Sequence, residues 1–219
     1  MFQPSRRVMA TVFLASSLVA AAAFAASAPA ARPATPPALE MATFAGGCFW
    51  CVETAFEGLP GVVSVISGYT DGQKLNPSYD EVSAGSTGHA ESVQITYDPK
   101  RVTYAQLLDL FWHNIDPTQS NGQFCDHGAQ YRSAIFVHDA TQQRLAEGSK
   151  RALERGPRRF KGAFVTSIVP ASRFWPAEEY HQDFYRKDPV RYESYRTGCG
   201  RDRRLTELWG KPGRHGHAP

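Results

Sequence analysis

The sequence predicts a single α+β domain built as two layers, with helices packed on a β-sheet. Strand-like and helix-like hydrophobic periodicities alternate along the chain from Met41 onward. The patterned part runs for about 170 residues, a length that suits one core, and no repeat or second linker divides it. Met41 to Ala45 reads as a strand, and Cys48 to Gly58 as a helix with Val52, Ala55 and Phe56 on one side. Val62 to Tyr69 is the next strand. Glu91 to Tyr97 alternates as a strand, and Tyr104 to Asn114 is helical with Leu107, Leu108 and Phe111 together. Arg132 to His138 follows as a strand, Ala140 to Arg155 as a helix and Ala163 to Pro170 as a last strand. Pro176 suits the first turn of a helix continuing through Tyr180 and Phe184. The irregular stretches 70–90 and 116–130 exceed ordinary connection lengths, which points to function.

Before that domain, Arg6 and Arg7 precede the uncharged apolar run Val8 to Ala23, and Ala23-Phe24-Ala25 fits a small-x-small cleavage site. Residues 1–25 are therefore expected to be an export signal, which places the mature protein in the periplasm. Ser5-Arg6-Arg7 is also a minimal twin-arginine match, but the general secretory route is favoured. The apolar run, about 16 residues, is shorter than a spanning helix needs and lacks a basic stop-transfer flank, so no permanent membrane span is expected. Residues 26–40 are expected to form an Ala/Pro-rich linker, 41–210 the folded domain, and 211–219, with His215 and His217, a disordered tail. A monomer is expected.

The formal charge is +3, and removing Arg6 and Arg7 from the 24 basic residues leaves 22 against 21 acidic, or about +1. No global field then favours a polyanion, so nucleic acid is excluded as a partner. Arg151, Arg155, Arg158, Arg159 and Lys161 form a local basic run, but beside Glu147 and Glu154 it reads as a solvated helix face.

The densest chemistry lies in Gly46-Gly47-Cys48-Phe49-Trp50-Cys51, between the first strand and the first helix. A cysteine at a helix N-terminus meets unpaired backbone N–H groups and the positive end of the helix dipole, which favour the nucleophilic thiolate. The glycines allow a tight turn and close approach of a substrate. The two irregular stretches deliver polar residues to strand starts: Tyr79-Asp80-Glu81 and Thr87-Gly88-His89-Ala90-Glu91 in one, Cys125-Asp126-His127 and Gln130-Tyr131-Arg132-Ser133 in the other. Glu91 is a candidate acid. Tyr79, Tyr131 and Asp126 taken singly also fit rim, core or turn positions.

Gly-Cys-Phe-Trp at 47–50, Thr-Gly-His-Ala-Glu at 87–91 with Tyr-Asp-Pro at 97–99, and Asp126 with Gln-Tyr-Arg-Ser at 130–133 occur in that order. With them the chain resembles the A-type peptide methionine sulfoxide reductases from about Met41 to Trp209. The resemblance implies a ferredoxin-like two-layer sandwich with a mixed sheet and an irregular C-terminal segment. It implies Cys48 as nucleophile, Phe49 and Trp50 as walls for the substrate methyl, Glu91 as proton donor, and Tyr79, Asp126 and Tyr131 as polar groups around the sulfoxide oxygen. The implied reaction is thiol-dependent reduction of methionine-S-sulfoxide, free or in proteins, with a thioredoxin-like dithiol as reductant and no bound cofactor.

Those residue types match that reaction. Oxide is a poor leaving group, so attack of a thiolate on sulfur needs a proton delivered to oxygen. Glu91 can supply it only if burial keeps the carboxyl protonated. Cys48 would be left as a sulfenic acid, which a second thiol condenses to a disulfide. Cys199, in Gly198-Cys199-Gly200, is the preferred resolving thiol by resemblance; Cys51 is the second choice, and Cys125 lies beside Asp126. Four cysteines in an exported chain also permit two structural disulfides, which would block Cys48. An exported CxxC thiol-disulfide oxidoreductase is the alternative reading; it needs Cys51 and is indifferent to Glu91. No metal site is expected, because His89, His113, His127, His138 and His181 are scattered without ligand spacing.

Overall fold

Side-chain alternation along the strands decides which face of the sheet the helices cover. In the computed structural model, which describes residues 38–156 and 160–210, β1 (Glu40–Gly46) turns Ala42 and Phe44 to one core cluster and Ala45 to another. The expected signal peptide 1–25, residues 26–37 of the linker, Arg158 and Arg159 of the basic run, and the tail 211–219 lie outside the described residues. Among the described residues no helix is long and apolar enough to cross a membrane.

Helix α1 (Phe49–Phe56), β2 (Val62–Thr70), the short α2 (Tyr79–Ser83), β3 (Ala90–Tyr97) and α3 (Tyr104–Trp112) follow. Next come β4 (Gly122–Gln123), β5 (Asp126–His127), β6 (Ser133–Val137), α4 (Ala140–Arg155), β7 (Ser167–Pro170) and β8 (Trp175–Pro176). The chain ends in α5 (Phe184–Lys187), α6 (Pro189–Gly198) and α7 (Arg201–Trp209). The main sheet runs β7-β6-β1-β3-β2-β8, with β6–β7 parallel and the other neighbours antiparallel, so the expected mixed sheet is present.

The core lies between the sheet and the helices α1 and α3. Phe44 stacks on Phe56 at 5.5 Å and on Phe111 at 4.9 Å, joining β1 to both helices. Truncating such a buried ring costs about 3–5 kcal/mol. Helix starts are set by local chemistry: Thr103 accepts from the Gln106 N–H ahead of α3, and Asp139 accepts from the Thr141 and Gln142 N–H groups ahead of α4. Each such cap contributes about 1 kcal/mol.

Four sequence expectations are corrected. The last strand covers only Ser167–Pro170 of the expected 163–170, because Val165 N–H bonds to Pro117 O and Lys150 donates to Thr166 O instead of a ladder forming. Pro176 sits in the edge strand β8 opposite Gly68 rather than in a helix, a place where a missing N–H is tolerated. The helix expected beyond it is broken into a 3₁₀ turn, Glu179–His181, and the four-residue α5, with Asp183 between them at φ +51°. Both long loops carry structure: α2 in the first, where Glu81 reaches back to the Ser78 N–H as in a capping box, and the β4–β5 hairpin in the second.

A further correction concerns the C-terminal segment, which is helical and docked rather than irregular. Asp188 caps α6 through the Arg191 N–H with Pro189 at its first position, and Gly200, at φ +69°, makes the turn into α7. Leu205, Leu208 and Trp209 of α7 are buried in the main core.

Candidate active site

The site starts where β1 ends. Gly47 has φ +82°, and a Cβ there would lie 2.6 Å from Gln123 Cβ, so only glycine permits this turn against the β4–β5 hairpin. The turn places Cys48 at the N-cap of α1, 6 % exposed. The free N–H groups of the helix start meet carboxyl groups: Phe49 N–H donates to Glu91 Oε2 at 3.0 Å, and the Cys48 N–H to Asp126. Glu91 faces the helices because it alternates with Val93, Ile95 and Tyr97, the core-facing residues of β3.

Each loop is braced to carry its residue. Tyr79 opens α2, and its N–H donates to Glu178 Oε1 at 2.8 Å. Gln123 makes two bonds to the Asp116 backbone and Gln119 two to the Phe124 backbone, holding the hairpin that carries Asp126. Gln130 Nε2 donates to Ser83 O at 2.9 Å and ties the turn bearing Tyr131 to α2.

All seven residues expected at the site, Cys48, Phe49, Trp50, Tyr79, Glu91, Asp126 and Tyr131, line one cavity of about 60 Å³. An eighth lining residue, Tyr195, escaped the sequence reading; its hydroxyl donates to Asp126 Oδ2 from α6. Its signal was the Asp188-Pro189 helix start, which makes the following stretch helical. His181 was passed over as a scattered histidine, yet its Nδ1 accepts from Trp50 Nε1 at 3.1 Å and its ring lies 4.9 Å from Phe49. No local pattern in the sequence marks it. Trp50 is further fixed by stacking on Phe184 at 3.8 Å and 10°.

The electrostatics follow from burial. Desolvation raises the Glu91 carboxyl to about 8 against the opposing Phe49 N–H, with Asp126 and Cys51 adding to the rise, so Glu91 holds a proton at neutral pH. Tyr79 is pushed up to about 12 and Tyr131 upward too, first by burial and then by Glu91, so both hydroxyls are donors. His181 is lowered to about 4 by burial and stays neutral, as its acceptor role requires.

Cys125 and Cys199 are joined in a disulfide, with Cys125 exposed, whereas Cys48 and Cys51 are free and buried. Two structural disulfides are therefore absent, and Cys48 is not blocked. The charge preference differs from the expected one. Cys48 is raised by burial and by Cys51, while Cys51 is drawn down to about 6 by its hydrogen bond with Cys48, against burial and with Arg201 and Arg196 facing it. The helix end that was to favour a Cys48 thiolate is occupied by Glu91 and Asp126.

A buried nucleophilic sulfur, a protonated carboxyl and phenol hydroxyls around one small cavity, with a second thiol in contact and a disulfide nearby, define a cysteine-based oxidoreductase. The family model for peptide methionine sulfoxide reductase matches residues 40–212. The chain is 53 % identical over 173 residues to the peptide methionine sulfoxide reductase MsrA of Bacillus licheniformis, covering 78 % of this chain and 94 % of the relative. It is 52 % identical over 172 residues to that of Bacillus subtilis, covering 78 % and 96 %. Among solved structures, methionine sulfoxide reductase A of Corynebacterium diphtheriae superposes with a TM-score of 0.64 at 33 % identity, covering 71 % of this chain and 77 % of that one. Reduced Mxr1 of Saccharomyces cerevisiae gives 0.63 at 33 %, covering 69 % and 87 %. The chain belongs to the peptide methionine sulfoxide reductase family and is an oxidoreductase.

Proposed function

We propose that this protein reduces methionine-S-sulfoxide, free and in proteins, to methionine. The observation that carries the proposal is the single cavity in which Cys48, the protonated Glu91 and the hydroxyls of Tyr79 and Tyr131 meet. The Cys48 sulfur attacks the sulfoxide sulfur, Glu91 gives a proton to the oxygen, and the two tyrosines hold that oxygen as charge develops. Phe49 and Trp50 face the S-methyl group, where sulfur and rings pack well. Methionine leaves, and Cys48 remains as a sulfenic acid.

Recycling moves outward. Cys199 was expected to attack Cys48 directly; its bond to Cys125 and the contact of Cys51 with Cys48 favour a different order. Cys51 condenses with the Cys48 sulfenic acid to a disulfide and water, Cys199 then attacks Cys51, and Cys125 attacks Cys199. The product is the exposed Cys125–Cys199 disulfide, within reach of a thioredoxin-like dithiol reductant. The strand order β6-β1-β3-β2 with α1 and α3 between strands supports the ferredoxin-like reading. The sequence features of residues 1–25 support export to the periplasm, where the enzyme repairs oxidised exported proteins.

The CxxC oxidoreductase alternative is favoured only by the Cys48–Cys51 contact and leaves Glu91, Tyr79 and Tyr131 without a task. Incubating the purified protein with methionine sulfoxide and dithiothreitol separates the two. Methionine formation supports the reductase; disulfide exchange on a model peptide without methionine formation supports the alternative.

A further inference from the structure

The Cys125–Cys199 disulfide is the oxidised form of a second donor cluster. Its two sulfurs and the Asp126 carboxylate lie within 4.8 Å of one another, with Cys125 exposed and the other two residues half-buried. A thioredoxin-like dithiol that gives this bond two electrons and two protons leaves a pair of thiols and is itself oxidised to a disulfide. The frames that hold the two thiols do not depend on the bond between them. The hairpin bearing Cys125 is fixed by Gln119 and Gln123. Cys199 ends α6 with its N–H on Tyr195 O at 2.8 Å, and α7 behind it is anchored in the core.

Three features make the cluster a set of metal ligands. Cys125 Sγ stands 3.8 Å from Asp126 Oδ1. A sulfur at about 2.3 Å and an oxygen at about 2.1 Å on one tetrahedral zinc ion lie about 3.6 Å apart, so the observed spacing needs little adjustment. The outer hydrogen bonds that orient metal ligands are also present: Tyr195 donates its hydroxyl to Asp126 Oδ2, leaving Oδ1 for an ion, and the Cys125 N–H donates to Cys199 Sγ at 3.1 Å. The charges balance as well. Two thiolates and a carboxylate exceed a divalent cation by one negative charge, and Arg201, which acts on Asp126 from α7, supplies one positive charge.

We infer that the reduced protein binds one Zn²⁺ ion through Cys125 Sγ, Cys199 Sγ and Asp126 Oδ1, with the fourth position open to solvent beside the exposed Cys125. Two sulfurs with one carboxylate suit zinc, whereas calcium and magnesium take oxygen ligands throughout. Both thiols lose their protons to solvent as the ion binds, and no electrons move. Bound metal occupies both outer thiols of the relay and so holds the reduced enzyme out of thioredoxin-linked recycling. That consequence, unlike the binding itself, rests on the reductase reading above.

The test reduces the full chain with dithiothreitol, removes the reductant under anaerobic conditions and titrates Zn²⁺ in competition with a chromogenic chelator. One ion should bind per reduced chain. The disulfide form, which keeps Cys48 and Cys51 as free thiols, should not bind with comparable affinity. Loss of an outer partner alone weakens a metal site by about 10–100-fold, so Cys125→Ser, Cys199→Ser and Asp126→Asn should each cost at least about tenfold. Cys48 and Cys51 are the rival thiol pair, and replacing both by serine should leave the affinity unchanged. Titration with Cd²⁺ gives a second readout: the ultraviolet sulfur-to-metal charge-transfer band should fall in Cys125→Ser and persist in the variant lacking Cys48 and Cys51. Absence of binding, equal binding by the disulfide form, or an affinity indifferent to Asp126→Asn overturns the inference. So does binding that is kept without Cys125 and lost without Cys48 and Cys51. None of these measurements needs methionine formation, so failure of the site and failure of the reductase reading are separate outcomes.

Discussion

Phe49 N–H donates to Glu91 Oε2 at 3.0 Å across 42 residues of sequence, so the helix end that presents the Cys48 sulfur also holds the acid. One backbone turn thereby sets the distance between nucleophile and proton donor. A shift of α1 against β3 would break this bond and change the separation of the two groups.

Cys48→Ser should abolish methionine formation with any reductant, because a serine hydroxyl is far less acidic than a thiol and cannot become a sulfenic acid. Turnover is measured with methionine sulfoxide and excess dithiothreitol. Substantial residual reduction would remove Cys48 from the mechanism.

Glu91→Gln should keep substrate binding and slow methionine release in a single turnover by about 10²-fold or more. The sign of the pH dependence follows from the raised carboxyl: the acid form is present below about 8 and is lost as pH rises through that value. Wild-type rate should therefore fall on the alkaline side, and the glutamine variant should lack that limb. A variant as fast as the wild type would place the proton source elsewhere.

Cys199→Ser should release about one methionine per enzyme and then stall with thioredoxin, holding a Cys48–Cys51 disulfide that a small dithiol can still reduce. Peptide mass spectrometry after one turnover identifies the bond. Full thioredoxin-linked turnover without Cys199 would break the proposed relay.

His181→Phe should raise KM for methionine sulfoxide several-fold, because Trp50 Nε1 loses its acceptor at 3.1 Å and the methyl wall loosens. A buried donor left unsatisfied costs about 1–3 kcal/mol. Tryptophan fluorescence should shift with it; unchanged KM and emission would show that Phe184 alone positions Trp50.

Much of this protein was legible in the chain itself, for local reasons. The runs Val62 to Tyr69 and Glu91 to Tyr97 alternate with period two, and Ala140 to Arg155 carries its own cap, so those elements appear where periodicity places them. Capping signals also marked α2, through Ser78 and Glu81, and α6, through Asp188 and Pro189; reading the segments as irregular overlooked that chemistry. The residue types at 48, 91, 79, 126 and 131 stand in motifs whose order alone suggested one site.

Tertiary structure decided what depends on residues far apart. Burial of Glu91 against α1 keeps its proton, a state no local window encodes, because the same glutamate at an exposed strand start would be ionised. The docking of α6 and α7 brings Tyr195 to Asp126 and Arg196 and Arg201 to Cys51, across separations of 69 residues and more. The pairing of Cys125 with Cys199, 74 residues apart, is likewise a product of that docking. Identity and local geometry of the reacting groups are written in short segments; their protonation and partners come from the low-dielectric space the whole fold encloses.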